Sequence, residues 1–239
     1  MSQVDYSNLS DYPIFDRWTA SHPDRIQLFS YPTPNGVKVS IALEELGLAY
    51  EPHLVSLADE DVKSEAFLSL NPNNKIPAII DPDGPDGKPV GLFESGAILI
   101  YLAEKAGKLL GSNAAEKAKV IQWLMFQMGG IGPMFGQLGY FHVYGGKSIE
   151  DPRPKKRYVQ EVKRLLNVLE EQLDGQEWVA GEFSIADIAI VPWLQTLSGY
   201  YEAGELTELN RFPRVLSYIS RFTERPAVQR GWKIPARDE

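Results

Sequence analysis

The spacing of apolar residues changes once along the chain, near Gly111, and that change limits the folds open to it. Before it, short runs rich in β-branched and aromatic residues alternate with stretches of helical period; after it, only the helical period continues. Residues 26–30 suit a short strand, and Val37, Ile41, Ala42 and Leu46 predict a helix over 37–46 that Gly47 stops. Residues 50–55 read as the next strand, and strand, helix, strand in that order predicts a right-handed crossover between a parallel pair. A short helix is predicted over 64–70, then strands over 78–81 and 90–93 joined by the turn-rich Pro82-Asp83-Gly84-Pro85-Asp86-Gly87, a hairpin signal. A helix over 95–106 precedes Gly107. Beyond Gly111 the best helices are 114–128, 155–173, 185–197 and 215–223. The helix at Ile185 has a strong start: Ser184 as N-cap, Asp187 at the third helical position, and Phe183 with Ile188 as a hydrophobic staple.

The predicted fold class is therefore α/β plus all-α, with a mixed domain over 26–110 and a helical domain over 111–239. Residues 1–25 are polar and aperiodic, with Pro13, Trp18 and Pro23, and are expected to form an arm packed on the surface or across a partner. With 239 residues, 44% of them hydrophobic, the chain can bury a sizeable core. A formal net charge of -8 argues against general affinity for nucleic acid or an anionic membrane, since either needs a basic face. No run approaches the ~18 uninterrupted apolar residues of a membrane span, and the N-terminus lacks the basic-then-apolar pattern of a secretion signal. A cytoplasmic location is expected.

There is no cysteine, which excludes disulfides, thiolate metal sites, a CxxC pair and a cysteine nucleophile together. Any sulfur chemistry must use a sulfur brought by a ligand. His22, His53 and His142 have no metal-ligand spacing, so packing or solvent exposure is expected of each and no metal is expected.

Other motifs have plain local readings. Tyr31-Pro32-Thr33-Pro34-Asn35-Gly36 is a turn between strand and helix, with prolines fixing backbone angles and Asn-Gly tolerating positive φ. Glu94-Ser95 reads as an N-cap beside a solvated acid, and Lys155-Lys156-Arg157-Tyr158 as a charge run at a helix start. Trp123, Phe126, Phe135, Tyr140, Phe141 and Tyr144 read as core, with an apolar substrate cleft as the alternative.

In combination the motifs carry more. Thr33-Pro34-Asn35-Gly36, Asn71-Pro72-Asn73-Asn74-Lys75-Ile76-Pro77-Ala78, Phe93-Glu94-Ser95-Gly96-Ala97-Ile98 and Ser184-Ile185-Ala186-Asp187 together resemble a cytosolic glutathione transferase over residues 26–230. That resemblance implies a thioredoxin-like N-terminal domain, an all-helical C-terminal domain and a homodimer. The Thr-Pro-Asn turn and Gly129-Gly130-Ile131-Gly132-Pro133-Met134 with Gly136-Gln137 are similar to the nu class, whose bacterial members are glutathione-dependent disulfide-bond reductases.

The resemblance implies roles residue by residue. Pro77 is expected to be cis, with the backbone N–H and C=O of Ile76 pairing with the cysteinyl unit of glutathione like an added strand. Ser95 and the helix N-terminus are expected to meet the γ-glutamyl α-carboxylate, and Glu94 the α-ammonium. Arg157 matches a basic residue that holds a second glutathione, or the other half of its disulfide, and a guanidinium suits a carboxylate; for Lys155 and Lys156 the solvated reading is kept. At the glycyl end the matching position holds Val62, leaving Lys63 or Lys75 as substitutes. The run Leu138-Gly139-Tyr140-Phe141-His142-Val143-Tyr144 departs from the class pattern, so the acceptor preference is expected to differ.

A thiol with pKa near ~8.5 is only a few per cent ionised at neutral pH, so the enzyme must stabilise the thiolate. A shift of ~2 units needs about 2.7 kcal/mol, within reach of two or three hydrogen bonds to a charged atom. Asn35 is the first candidate donor and Thr33 the second, helped by backbone N–H groups at the start of the 37–46 helix. Tyr31 is the competitor, its other role being to pack against the helical domain. The expected function is glutathione-dependent reduction of a small disulfide, with organic hydroperoxide reduction as an added activity. Conjugation of glutathione to an electrophilic carbon is one alternative, and a non-catalytic regulatory module with this fold another.

Overall fold

Residues 8–236 are described by the computed structural model. Their contacts divide into two units: one runs to Ala106 and takes in the stretch from Ala227, and the other spans Gly107–Pro226.

The first unit is built on β1 (Ile26–Ser30), whose five residues are all buried. Helix α1 (Gly36–Leu46) follows and ends at Gly47 in the left-handed conformation, φ 68°; β2 (Tyr50–Leu54) then pairs parallel to β1. The crossover predicted from strand, helix, strand is thus present. Pro52 sits in β2 without breaking the sheet because β2 is an edge strand in the order β2-β1-β3-β4. Two short helices, α2 (Asp59–Val62) and α3 (Glu65–Leu70), precede β3 (Ala78–Asp81), which pairs antiparallel with β1 and, through the predicted hairpin, with β4 (Val90–Phe93). Helix α4 (Ser95–Ala106) lies against α1.

The expectation of a surface arm is overturned for its described part. Tyr12, between two 3-10 turns, and Ile14, in the second of them, are buried with Phe29, Phe67 and Ile80 in one core cluster. Trp18 packs edge-on against Phe29 and Phe67, and its Nε1–H donates to the Leu54 carbonyl at 3.0 Å. Aperiodic sequence here conceals burial because the short turns present apolar side chains with no regular spacing. Residues 1–7 lie outside the described residues.

The second unit carries α5 (Ala114–Phe126), α6 (Gly132–His142), α7 (Pro152–Gln172), α8 (Ile185–Ser198) and α9 (Pro213–Thr223). A π-helical turn, Gln127–Ile131, joins α5 to α6. Sequence periodicity does not predict α6, since glycines interrupt it; they are there for packing. A Cβ on Gly139 would lie 2.3 Å from the Tyr201 ring, and one on Gly132 2.8 Å from the Gln127 amide. Helix α7 begins a turn earlier than predicted, with Asp151 as cap and Pro152 at the first helical position. At α8 the predicted cap is complete: the Ser184 hydroxyl accepts from Ala186 N–H at 3.3 Å, and Asp187 Oδ2 accepts from Ser184 N–H at 2.8 Å.

A last helix, α10 (Pro226–Gly231), is not predicted either. The expectation ran the helical domain to residue 239, whereas the stretch from Ala227 belongs with the first unit. Ser40 Oγ donates to the Gly231 carbonyl at 2.6 Å, Arg230 pairs with Glu44 at 2.6 Å, and a Cβ on Gly231 would lie 2.6 Å from Ile41 Cα. No described helix is long and apolar enough to cross a membrane.

Candidate functional site

Strand register gathers the N-terminal motifs. Phe29 lies opposite Ala78, and Ala78 opposite Phe93. The end of β1, the start of β3 and the end of β4 are therefore side by side, and the turns at 31–35, 71–77 and 94 leave the sheet at the same end. No helical or strand period reveals this; it follows from antiparallel pairing.

Local chemistry holds each turn. Thr33 Oγ1 accepts from Gly36 N–H at 3.1 Å, and the Thr33 carbonyl accepts from Val37 N–H at 3.0 Å. Thr33 therefore caps α1, while Asn35 occupies the cap position with helical φ and ψ and makes no capping bond with its side chain. Two of the backbone N–H groups expected to face a sulfur are thus already engaged. Accepting a hydrogen bond leaves the Thr33 hydroxyl proton able to donate. Gly36 is required here, because a Cβ would lie 1.9 Å from the Tyr31 carbonyl oxygen. Tyr31 is half-buried against the core of its own unit.

In the second turn Asn71 ties the chain to itself. Its Nδ2 donates to the Lys75 carbonyl at 2.5 Å and its Oδ1 accepts from Asn73 N–H at 2.9 Å. The Ile76–Pro77 bond is cis, as the resemblance implies, and Ile76 lies outside the ladder that begins at Ala78. Lys75 is exposed. Val62 is a core residue, and the neighbouring Lys63 pairs with Asp59 at 2.7 Å.

At the third turn the assignment of the cap shifts by one residue. Glu94, exposed and with φ 71°, stands before α4, and its carbonyl accepts from Ile98 N–H at 3.0 Å. Ser95 is the first helical residue and is buried. Sequence reasoning missed its neighbour, Lys38. This lysine is 0% exposed, and its Nζ lies 3.3 Å from Ser95 Oγ. Burial pulls its pKa down from 10.5 to about 7, and the Glu94 carboxylate opposes that shift. A signal was present: Lys38 precedes Ile41 and Ala42 by three and four positions, which puts it on the apolar face of α1.

The remaining predicted residues lie elsewhere. Arg157 is on α7 in the helical unit, exposed, where Arg153, Lys156, Gln160, Glu161 and Arg164 line with it an open depression of about 520 Å³. Arg153 pairs with Asp151 and Arg164 with Glu161, whereas among the described residues Lys156 and Arg157 have no carboxylate at ion-pairing distance. Lys156, expected to be solvated, is exposed on the same face. The aromatic group divides: Trp123 and Phe135 are buried, while Tyr140 and Tyr144 are exposed, the latter beside Tyr200 and Tyr201. His53 is a core residue stacked on Phe29, with Nε2 2.8 Å from Gln27 Oε1. Among the described residues no group of three or more histidines and carboxylates is placed to hold a metal ion.

The chain is similar to known proteins along both of its units. The family model of the glutathione S-transferase N-terminal domain matches residues 25–104, and that of the C-terminal domain residues 155–221. The disulfide-bond oxidoreductase YfcG of Escherichia coli (strain K12) is 42% identical over 205 residues, covering 85% of this chain and 92% of its own. YghU of the same organism, also named a disulfide-bond oxidoreductase, is 41% identical over 219 residues, covering 88% of this chain and 74% of its own. Among solved structures, a glutathione transferase from Pseudomonas putida with one glutathione disulfide bound per subunit is 58% identical, with a TM-score of 0.95 over 96% of this chain and 100% of that one. A Burkholderia graminis glutathione transferase with two glutathione molecules per subunit is 60% identical, with a TM-score of 0.95 over 100% of this chain and 98% of that one. A thioredoxin-like unit with its motif-bearing turns at one end of the sheet, joined in sequence to an all-helical unit, is the framework of that family, and this chain belongs to the glutathione S-transferases.

Proposed function

We propose that this protein is a glutathione-dependent disulfide-bond reductase. The observation that carries the reading is the gathering of Thr33–Gly36, Ile76–Pro77 and Glu94–Ser95 at one end of the sheet. In it, Ser95 and the start of α4 receive the γ-glutamyl carboxylate, Glu94 the ammonium, and the Ile76 backbone the cysteinyl unit. Lys75, exposed on the same turn, is the candidate for the glycyl carboxylate. Asn35 and the Thr33 hydroxyl donate to the sulfur and favour its ionised form, as neutral donors to a charged acceptor do.

The reaction then balances without any protein thiol. Glutathione thiolate attacks one sulfur of the acceptor disulfide, forming a mixed disulfide and releasing the other sulfur as a thiolate, which takes up a proton. A second glutathione thiolate attacks the mixed disulfide, giving glutathione disulfide and the second reduced thiol. Relatives with two glutathiones or one glutathione disulfide per subunit support this sequence. Arg157 is assigned to the second glutathione. A reaction that draws on reduced glutathione suits the cytoplasm, and the family resemblance supports a homodimer.

Glutathione should be assayed in turn with hydroxyethyl disulfide, an aryl halide and cumene hydroperoxide, on protein whose mass has been measured by light scattering. Strong disulfide turnover, weak aryl conjugation and a dimer mass are expected. A preference for the aryl halide would transfer the protein to the conjugating enzymes, and no turnover with any acceptor would leave a binding module.

A further inference from the structure

A lysine wholly enclosed in an apolar helix face is costly, because its charge must be desolvated and its amine must find partners. Val37, Val39 and Ile41 beside Lys38 are all buried, so a leucine or methionine there would fill the same face without that cost. The lysine stem instead carries Nζ across to Ser95 Oγ, 3.3 Å away, from α1 to the first residue of α4. Glu94, whose carboxylate attracts the same amine, has φ 71°, a conformation that a residue with a Cβ adopts only at some cost. A buried donor, a buried hydroxyl and a strained acid thus meet at one corner.

We propose that Lys38 is a positioning residue for the γ-glutamyl end of the ligand: by donating to Ser95 Oγ it turns the Ser95 O–H toward the ligand's α-carboxylate, and it holds the Glu94 corner in register with that hydroxyl. This rests on the glutathione reading above. The amine touches no reacting atom and acts through Ser95 and Glu94. Because α1 also begins at the Thr33–Gly36 turn, a single helix carries both the sulfur-facing turn and the support for the γ-glutamyl corner.

The test is a cycle between side chain and ligand. Wild type and Lys38→Met are titrated calorimetrically with glutathione and with γ-aminobutyryl-cysteinyl-glycine, which lacks the α-carboxylate. Lys38→Met should weaken glutathione by about tenfold, the scale of one hydrogen bond to a charged group, and leave the analogue within about twofold. Lys38→Gln, which keeps a donor, should recover part of the loss. In turnover the variant should raise KM for glutathione more than it lowers kcat. Equal losses for both ligands, or none for glutathione, would overturn the role of Lys38 while leaving the glutathione reading intact. Wild-type protein that binds no glutathione would overturn both. Should Lys38→Met fail to fold, wild-type protein labelled at lysine Cε decides by NMR. The Lys38 resonance should move on adding glutathione and stay in place with the analogue, and a resonance unmoved by both would overturn the proposal.

Discussion

Thr33 and Asn35 are two residues apart, but the structure gives them unequal burdens. Thr33 caps α1 through its hydroxyl oxygen and its carbonyl, whereas the Asn35 side chain makes no capping bond. Substitutions at the two positions should separate accordingly. Asn35→Ala should lower kcat for disulfide reduction by about 10- to 100-fold, the equivalent of one charge-assisted hydrogen bond, with a smaller change in glutathione affinity. Thr33→Val should lower kcat and also cost about 1 kcal/mol of stability, the usual value of a lost cap. Steady-state kinetics beside a denaturant titration checks both; unchanged turnover in Asn35→Ala would move the sulfur contact to Thr33 or Tyr31. Residue types alone marked all three as donors. Which of them is already committed to holding the turn depends on backbone geometry that composition does not contain.

Among the elements, α8 was legible from sequence and α6 was not, for opposite physical reasons. The α8 start is local chemistry: Ser184 and Asp187 satisfy end groups within one turn, so a short window of sequence specifies it. Tertiary structure adds two donors that sequence spacing could not reveal. Asp187 Oδ1 accepts from Val179 N–H at 3.1 Å and from Tyr218 O–H at 2.7 Å. Asp187→Asn should therefore cost about 2–3 kcal/mol, since an amide nitrogen would face some of these donors and leave them unpaired. A chemical denaturation midpoint measures it, and a loss below the ~1 kcal/mol of a simple cap would count against the shared role. Glycines in α6 weaken its local signal and gain meaning only through Tyr201, Gln127 and Trp193, which approach where side chains would otherwise stand.

At the scale of the whole molecule, Lys38 in one unit and Asp187 in the other are ionisable groups buried at a cost, and their pH dependences run in opposite directions. Burial lowers the Lys38 pKa from 10.5 to about 7 in the N-terminal unit. Its contribution is most favourable above 10.5 and is lost as pH falls through about 7, so the stability of that unit should rise with pH across this window. Burial raises Asp187 from 3.8 to about 6 in the helical unit, against the hydrogen bonds that favour its charged form. Its contribution is full below 3.8 and is lost as pH rises through about 6, so the helical unit should weaken between those values. Hydrogen exchange resolved by peptide, measured at several pH values, reads the two units separately. Lys38→Met should abolish the alkaline rise, and its persistence in that variant would refute the assignment. The sequence by itself determined the two-part architecture, the parallel crossover, the hairpin and the residue types of the candidate site, because periodicity, turn chemistry and caps act over a few residues. Only the tertiary structure decided that Tyr12, Ile14 and Trp18 complete the core, that the chain returns to α1 at Gly231, and that Lys38 is enclosed behind Ser95. Those outcomes depend on contacts between residues far apart in the chain, where strand register and close packing, not local preference, choose the neighbours.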